Sequence, residues 1–162
     1  MLFRSVELLD GLIFDFCPVS PLHAAVTRRI SQPFLEQPEE RCIVSIRNPV
    51  RLDEFSEPEP DVALLKYRAD YYKTRHPEPG DVFLLIEVAD VSPDYDHEKL
   101  PIYGQAGIAE VWIVNLVDQT IEVHREPNFT GYGSKTILRA GDKATPQTFP
   151  EVMVGIAELL KR

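Results

Sequence analysis

Glu87 stands in the run DVFLLIEVADVS, residues 81–92, which is apolar almost throughout. Such a run reads as a central strand buried on both faces. Alternation puts Phe83, Leu85, Glu87 and Ala89 on one face and Leu84, Ile86 and Val88 on the other. An ionised carboxylate in that setting is costly unless it is paired, hydrogen-bonded or bound to a metal. Taken alone, Glu87 reads equally well as a strand-end residue that reaches water or an arginine. A second carboxylate, Asp61, opens the strand DVALL directly after Glu57-Pro58-Glu59-Pro60. Alone, it reads as an aspartate that ends a loop. If the two strands are neighbours, the carboxylates converge on one spot, an oxygen donor set suited to Mg²⁺ or Mn²⁺. Lys99 follows Glu87 by twelve residues, at the expected start of a helix. A lysine beside a carboxylate–metal pair can orient water or neutralise charge on a phosphoryl group in transfer. Its plainer fate is a solvated helix end.

These residues need a sheet to hold them. Residues 3–17 read as a hairpin about Asp10-Gly11, a pair suited to the positive φ values of a type I′ turn. Ser20 caps a helix from Pro21 to Leu35, with Leu22, Val26, Ile30 and Phe34 as its apolar stripe. CIVSIRNPVRL reads as a strand with a turn at Asn48-Pro49, and residues 68–79 as a short helix and loop. A second helix is expected from about Lys99 to Gly107, followed by the buried strand EVWIVN. QTIEVHRE and KTILR read as half-buried strands about Gly131 and Gly133, and VGIAELLKR as a closing amphipathic helix. The order predicts a mixed α/β (α+β) domain with one central sheet, spanning residues 1–162.

Composition narrows the function. At 162 residues the chain suits one domain with a real core. No apolar run is long enough to span a membrane, and MLFRSVELLDG lacks the apolar core of a secretory signal. Cys17 and Cys42 read as small buried residues in a reducing compartment, so the expectation is cytoplasmic. A net charge of −9 argues against coating nucleic acid or a membrane by bulk electrostatics, though a local basic patch could still face phosphates. Lys66, Arg68, Lys73 and Arg75, interleaved with Tyr67, Tyr71 and Tyr72, are the densest such stretch. They read either as a nucleic-acid contact or as a solvated helix face. Asp94, Asp96 and Glu98 lack the glycine and spacing of an EF-hand loop, and His76, His97 and His124 lack the spacing of a zinc motif.

The segments PEPDVALL, LLIEVADVSPDYDHEKLPIYGQAGIAEVWIVN and IEVHREP, with ELLDGLI and SPLH nearer the N-terminus, resemble the Uma-type family, labelled restriction endonuclease, within the PD-(D/E)xK nuclease superfamily. The resemblance covers nearly the whole chain. It implies a restriction-endonuclease-like fold, a mixed central sheet flanked by helices, with the acidic residues on adjacent strands. It also implies Asp61 and Glu87 as metal ligands, with the backbone carbonyl of Val88 as a further one. The lysine usual two residues after the acid is Ala89 here, and the resemblance moves its role to Lys99. The spacing from Glu87 to Lys99 is one residue shorter than that family often shows, which leaves the direction of Lys99 open. Asp96 and His23 match recurrent family positions: Asp96 could cap the helix or stand behind the ligands, and His23 could approach the site from its helix or be a partly buried structural residue.

Two functions follow. The first is a Mg²⁺- or Mn²⁺-dependent endonuclease hydrolysing phosphodiester bonds in DNA, RNA being inseparable by sequence, and acting as a homodimer. The second is a catalytically inactive module for protein interaction or oligomerisation. The −9 charge, the short acid-to-lysine spacing and pairing through EVWIVN or IEVHR, if these lie at the sheet edge, would favour the second.

Overall fold

The computed structural model describes residues 6–15, 18–91 and 93–161. The expected hairpin is β1 (Val6–Leu9) and β2 (Leu12–Asp15), joined by Asp10 at φ 49° and Gly11 at φ 79°. Its outer ends, residues 3–5, 16 and Cys17, lie outside the described residues. Helix α1 (Pro21–Leu35) begins where the cap predicts, with the Ser20 hydroxyl accepting from the His23 N–H at 3.1 Å. Val26, Ile30 and Phe34 are buried, whereas Leu22 is exposed.

Strands β3 (Ile43–Ile46), β4 (Val62–Leu65), β5 (Val82–Ala89), β6 (Glu110–Asn115), β7 (Thr120–Asn128) and β8 (Gly131–Leu138) form, among the described residues, a six-stranded sheet in that order. Only β5 and β6 pair in parallel, and the crossover this requires is α2 (Pro93–Gln105). The two-residue strands β9 (Lys143–Ala144) and β10 (Val154–Gly155) lead into α3 (Ile156–Leu159), which is much shorter than the expected closing helix. Residues of α1 and α3 pack with Leu64, Ile86, Val88, Trp112 and Val123 on one face of the sheet. Tyr103 of α2 packs with Ala63, Leu65, Leu85 and Val111 on the other. Glu87 thus belongs to the face that α2 covers.

Four further expectations need correction. The alternation along β5 breaks near its start: the register with β4 shifts between Leu64 and Leu65, which pair with Leu84 and Val82. Phe83 therefore packs against Phe149 on the α1 side, not beside Glu87. Residues 69–74 form turns, not an α-helix, because Tyr71 and Tyr72 adopt positive φ values of 51° and 61°; the expected loop follows and ends in a single 3₁₀ turn, Pro79–Asp81. Helix α2 starts at Pro93, so Lys99 lies in its middle. Pro93 suits a first helical position, and Asp94 and Asp96 complement the helix dipole there. Finally, EVWIVN is β6 between β5 and β7, and IEVHR lies in β7 between β6 and β8, so neither is an edge.

Helix α2 approaches β8 closely at Gly104. A Cβ there would sit 2.0 Å from the Gly131 carbonyl oxygen, which is backbone and cannot swing aside. Gly104→Ala is expected to destabilise the protein by about 1–3 kcal/mol despite alanine's better helix propensity. Urea unfolding of the two proteins checks this; an unchanged or raised midpoint would refute the close contact.

Candidate active site

The antiparallel register pairs Val62 with Ile86, which sets Asp61 opposite Glu87 at the end of the β4–β5 ladder. The two acids are tied by backbone hydrogen bonds. The Val88 N–H donates to Asp61 Oδ2 at 2.9 Å, and the Asp61 N–H donates to Glu87 Oε2 at 3.4 Å. Both residues line a cleft of about 310 Å³ together with His23, Val88, Asp96 and Lys99. The neighbouring-strand condition for convergence of the two carboxylates is met.

Lys99 points into this site. Its side chain is buried, with Nζ 3.1 Å from Glu87 Oε1 and 2.9 Å from Glu7 Oε1. Tyr95, Lys99 and Tyr103 recur every four residues along α2 and so share one face. The Tyr103 hydroxyl donates to Glu87 Oε1, the Tyr95 hydroxyl donates to Glu7 Oε1, and Lys99 Nζ lies 5.2 Å from the Tyr95 ring centroid. Glu7 comes from the N-terminal hairpin and also accepts the Glu59 N–H at 3.0 Å. The sequence gives no sign of its part in the site, since a glutamate in a four-residue hairpin strand carries no local signal of where it ends up.

The charge balance is lopsided. Glu7, Glu87 and Asp96 act on the Lys99 ammonium, and Asp61 lines the same cleft. Burial would lower the Lys99 pKa, but Glu87, Glu7 and Asp96 override it and keep the lysine charged. Burial raises the Glu87 carboxyl to about 8, with Lys99 pulling it down and Asp96, Asp61 and Glu7 pushing it up. Burial likewise raises Asp96 to about 6, against Lys99 and with Asp61 and Glu7. Glu87 and Asp96 thus hold their protons more tightly than they would in water, and the oxygen donors of the cleft are of the kind a hard divalent cation fits. Asp61, Glu87 and the Val88 carbonyl are the groups that could hold such an ion, with Asp96 behind them.

A pH dependence follows. Carboxyl pKa values raised in the folded state favour folding at low pH, and that contribution is lost as pH rises through about 6 and then about 8. The metal-free protein is expected to melt lower at pH 8 than at pH 5. Saturating Mn²⁺ should counter this by about 5–10 °C at pH 8 and by much less at pH 5. Equal shifts at both pH values would show that the ion binds away from these carboxyls.

His23 reaches the same acid from α1, with Nε2 3.1 Å from Asp61 Oδ2. Burial works against its protonation, but the hydrogen bond and charge of Asp61 prevail and raise its pKa. Its buried Nδ1 has no hydrogen-bond partner among the described residues. Arg47, whose N–H donates to the Asp61 carbonyl at 3.2 Å, also lines the cleft. Lys66, Arg68, Lys73 and Arg75 do not line it. Arg68 pairs with Asp70 at 2.9 Å and Arg75 with Asp81 at 2.6 Å, both guanidinium groups lying over Tyr72, while Lys66 and Lys73 are exposed.

Three comparisons bear on this geometry. A family model described as Uma2, putative restriction endonuclease, matches residues 4–157. No functionally curated protein matches the sequence. A solved structure, a putative nuclease belonging to DUF820 from Anabaena variabilis, has the same fold, with a TM-score of 0.76 at 14% sequence identity over 96% of this chain and 89% of that chain. No helix among the described residues is long and apolar enough to cross a membrane.

Proposed function

The chain belongs to the Uma2 family of putative restriction endonucleases, and from that membership we propose that it is a Mg²⁺- or Mn²⁺-dependent endonuclease hydrolysing phosphodiester bonds in DNA. The observation that carries this reading is the convergence of Asp61, Glu87 and Lys99 in one cleft, with Lys99 Nζ 3.1 Å from Glu87. Asp61, Glu87 and the Val88 carbonyl would hold the ion. When bound, it would supply Lewis acidity at a phosphoryl oxygen and make water a stronger nucleophile at neutral pH. Lys99, kept charged by its acidic neighbours, offsets negative charge developing on the phosphoryl group. Glu7 and Tyr95 hold Lys99 in place, and Tyr103 fixes the Glu87 carboxylate. His23 orients Asp61.

Two arguments for a catalytically inactive module lose their footing in this geometry. The short spacing from Glu87 to Lys99 still brings ammonium and carboxylate together, and β6 and β7 have no free edge to offer a partner. The test is cleavage of plasmid DNA, with single-stranded RNA in parallel, by the full chain in Mn²⁺. DNA nicking that requires the metal supports the reading. Absence of cleavage of both DNA and RNA, with saturable Mn²⁺ binding intact, would overturn it in favour of the module, and cleavage of RNA alone would overturn the DNA substrate.

A further inference from the structure

A second cluster of ligating side chains lies on the same sheet face, away from Asp61 and Glu87. Residues Glu122 and His124 alternate on β7 and so point the same way, toward α2, which contributes His97. His97 Nε2 lies 2.8 Å and His124 Nε2 3.0 Å from the same oxygen, Glu122 Oε2. All three donor atoms lie within 4.8 Å of one another, the one such set of His, Cys, Asp and Glu side chains found among the described residues. Glu122 and His124 are buried and His97 is half-buried, so the cluster has cover and an approach. Sequence spacing hid it, because His97 joins from another element some 25 residues away.

We infer that His97, Glu122 and His124 form a transition-metal site, taking Zn²⁺ or a similar borderline ion, separate from the oxygen-only site at Asp61 and Glu87. Two imidazoles and one carboxylate are the donors such ions prefer, whereas Mg²⁺ and Mn²⁺ favour all-oxygen sets. Three protein ligands leave a coordination position for water. Lys135, directly opposite His124 on β8, has Nζ 3.1 Å from Glu122 Oε2, a position from which its ammonium would compete with a cation. The Lys135 side chain is 45% exposed, so it can leave for solvent when an ion arrives. An ion here would clamp α2 to β7. His97 is two residues from Lys99, so the clamp would steady the helix that carries Lys99.

This inference does not depend on the nuclease reading. Its test uses the full chain stripped of metal, with Zn²⁺ binding followed by calorimetry and Co²⁺ binding by visible absorption. One equivalent of Zn²⁺ is expected to survive Asp61→Asn. Its affinity should fall at least about tenfold in His97→Ala and in His124→Ala. Lys135→Gln should tighten it, because the competing ammonium is gone, an effect that a purely structural hydrogen-bond cluster would not produce. If His124→Ala fails to fold, half-buried His97 and exposed Lys135 still carry the test. Zn²⁺ affinity unchanged in His97→Ala, binding lost in Asp61→Asn, or no saturable binding by the native chain would each overturn the site.

Discussion

Glu87→Gln is expected to lower Mn²⁺-dependent DNA cleavage by about 10²- to 10³-fold or more, with Asp61→Asn matching it. Each substitution keeps the side chain's shape and removes one ionised oxygen pair from the acid cluster. Mn²⁺ binding measured by calorimetry should fall in both variants. The folded state should not suffer. Glu87 is a buried carboxyl whose pKa is raised to about 8, so removing its charge relieves a desolvation penalty. Lys99 retains Glu7 at 2.9 Å as its counter-ion. Melting temperature at pH 8 is therefore expected to hold or rise while activity collapses, the signature of a group retained for chemistry. A variant that cuts DNA as well as the native chain would remove Glu87 from the catalytic site.

The parts of this architecture legible in the sequence were those written in short local patterns. Asp10-Gly11 announces the turn by its backbone requirement, and Ser20-Pro21 announces the start of α1 by its cap. The apolar run around Glu87 marks a strand covered on both faces. What the sequence concealed was non-local. The bulge opposite Leu64 and Leu65 flips Phe83 without any glycine or proline to mark it. Two consecutive tyrosines in left-handed conformations, Tyr71 and Tyr72, defeat a helix that propensity allows. In the site, Asp61 and Glu87 stand out because each borders or breaks an apolar strand pattern, whereas Lys99 is reached only through its place after Glu87 and the family resemblance. Glu7 could not, because its partners Lys99 and Tyr95 lie far along the chain and on a different element. His97 and His124 escaped for the same reason, since metal-ligand spacing is informative only when ligands share an element.

Lys99→Met separates the lysine's chemical part from its structural one. Cleavage is expected to fall about 10²- to 10³-fold, as when a single preorganised charge-stabilising group is removed. Mn²⁺ binding should persist or tighten, because the acid cluster loses its ammonium and keeps its ligands. That outcome is opposite to the one expected for Glu87→Gln, and the pair of titrations tells a ligand from a group that acts on the phosphate. The fold should suffer too. Lys99 is 1% exposed and pairs with both Glu7 and Glu87, so its removal strands buried carboxylates at a cost of about 3–5 kcal/mol. The loss should be largest at pH 8 and smaller at pH 5, where carboxyls of raised pKa, Glu87 and Asp96, take up protons in place of the missing cation. Adding Glu7→Gln to Lys99→Met removes one stranded charge, and part of the stability should return without any return of activity. Recovery of cleavage in that double variant would mean that Lys99 acts only by neutralising Glu7, and its assignment to the phosphoryl group would fail.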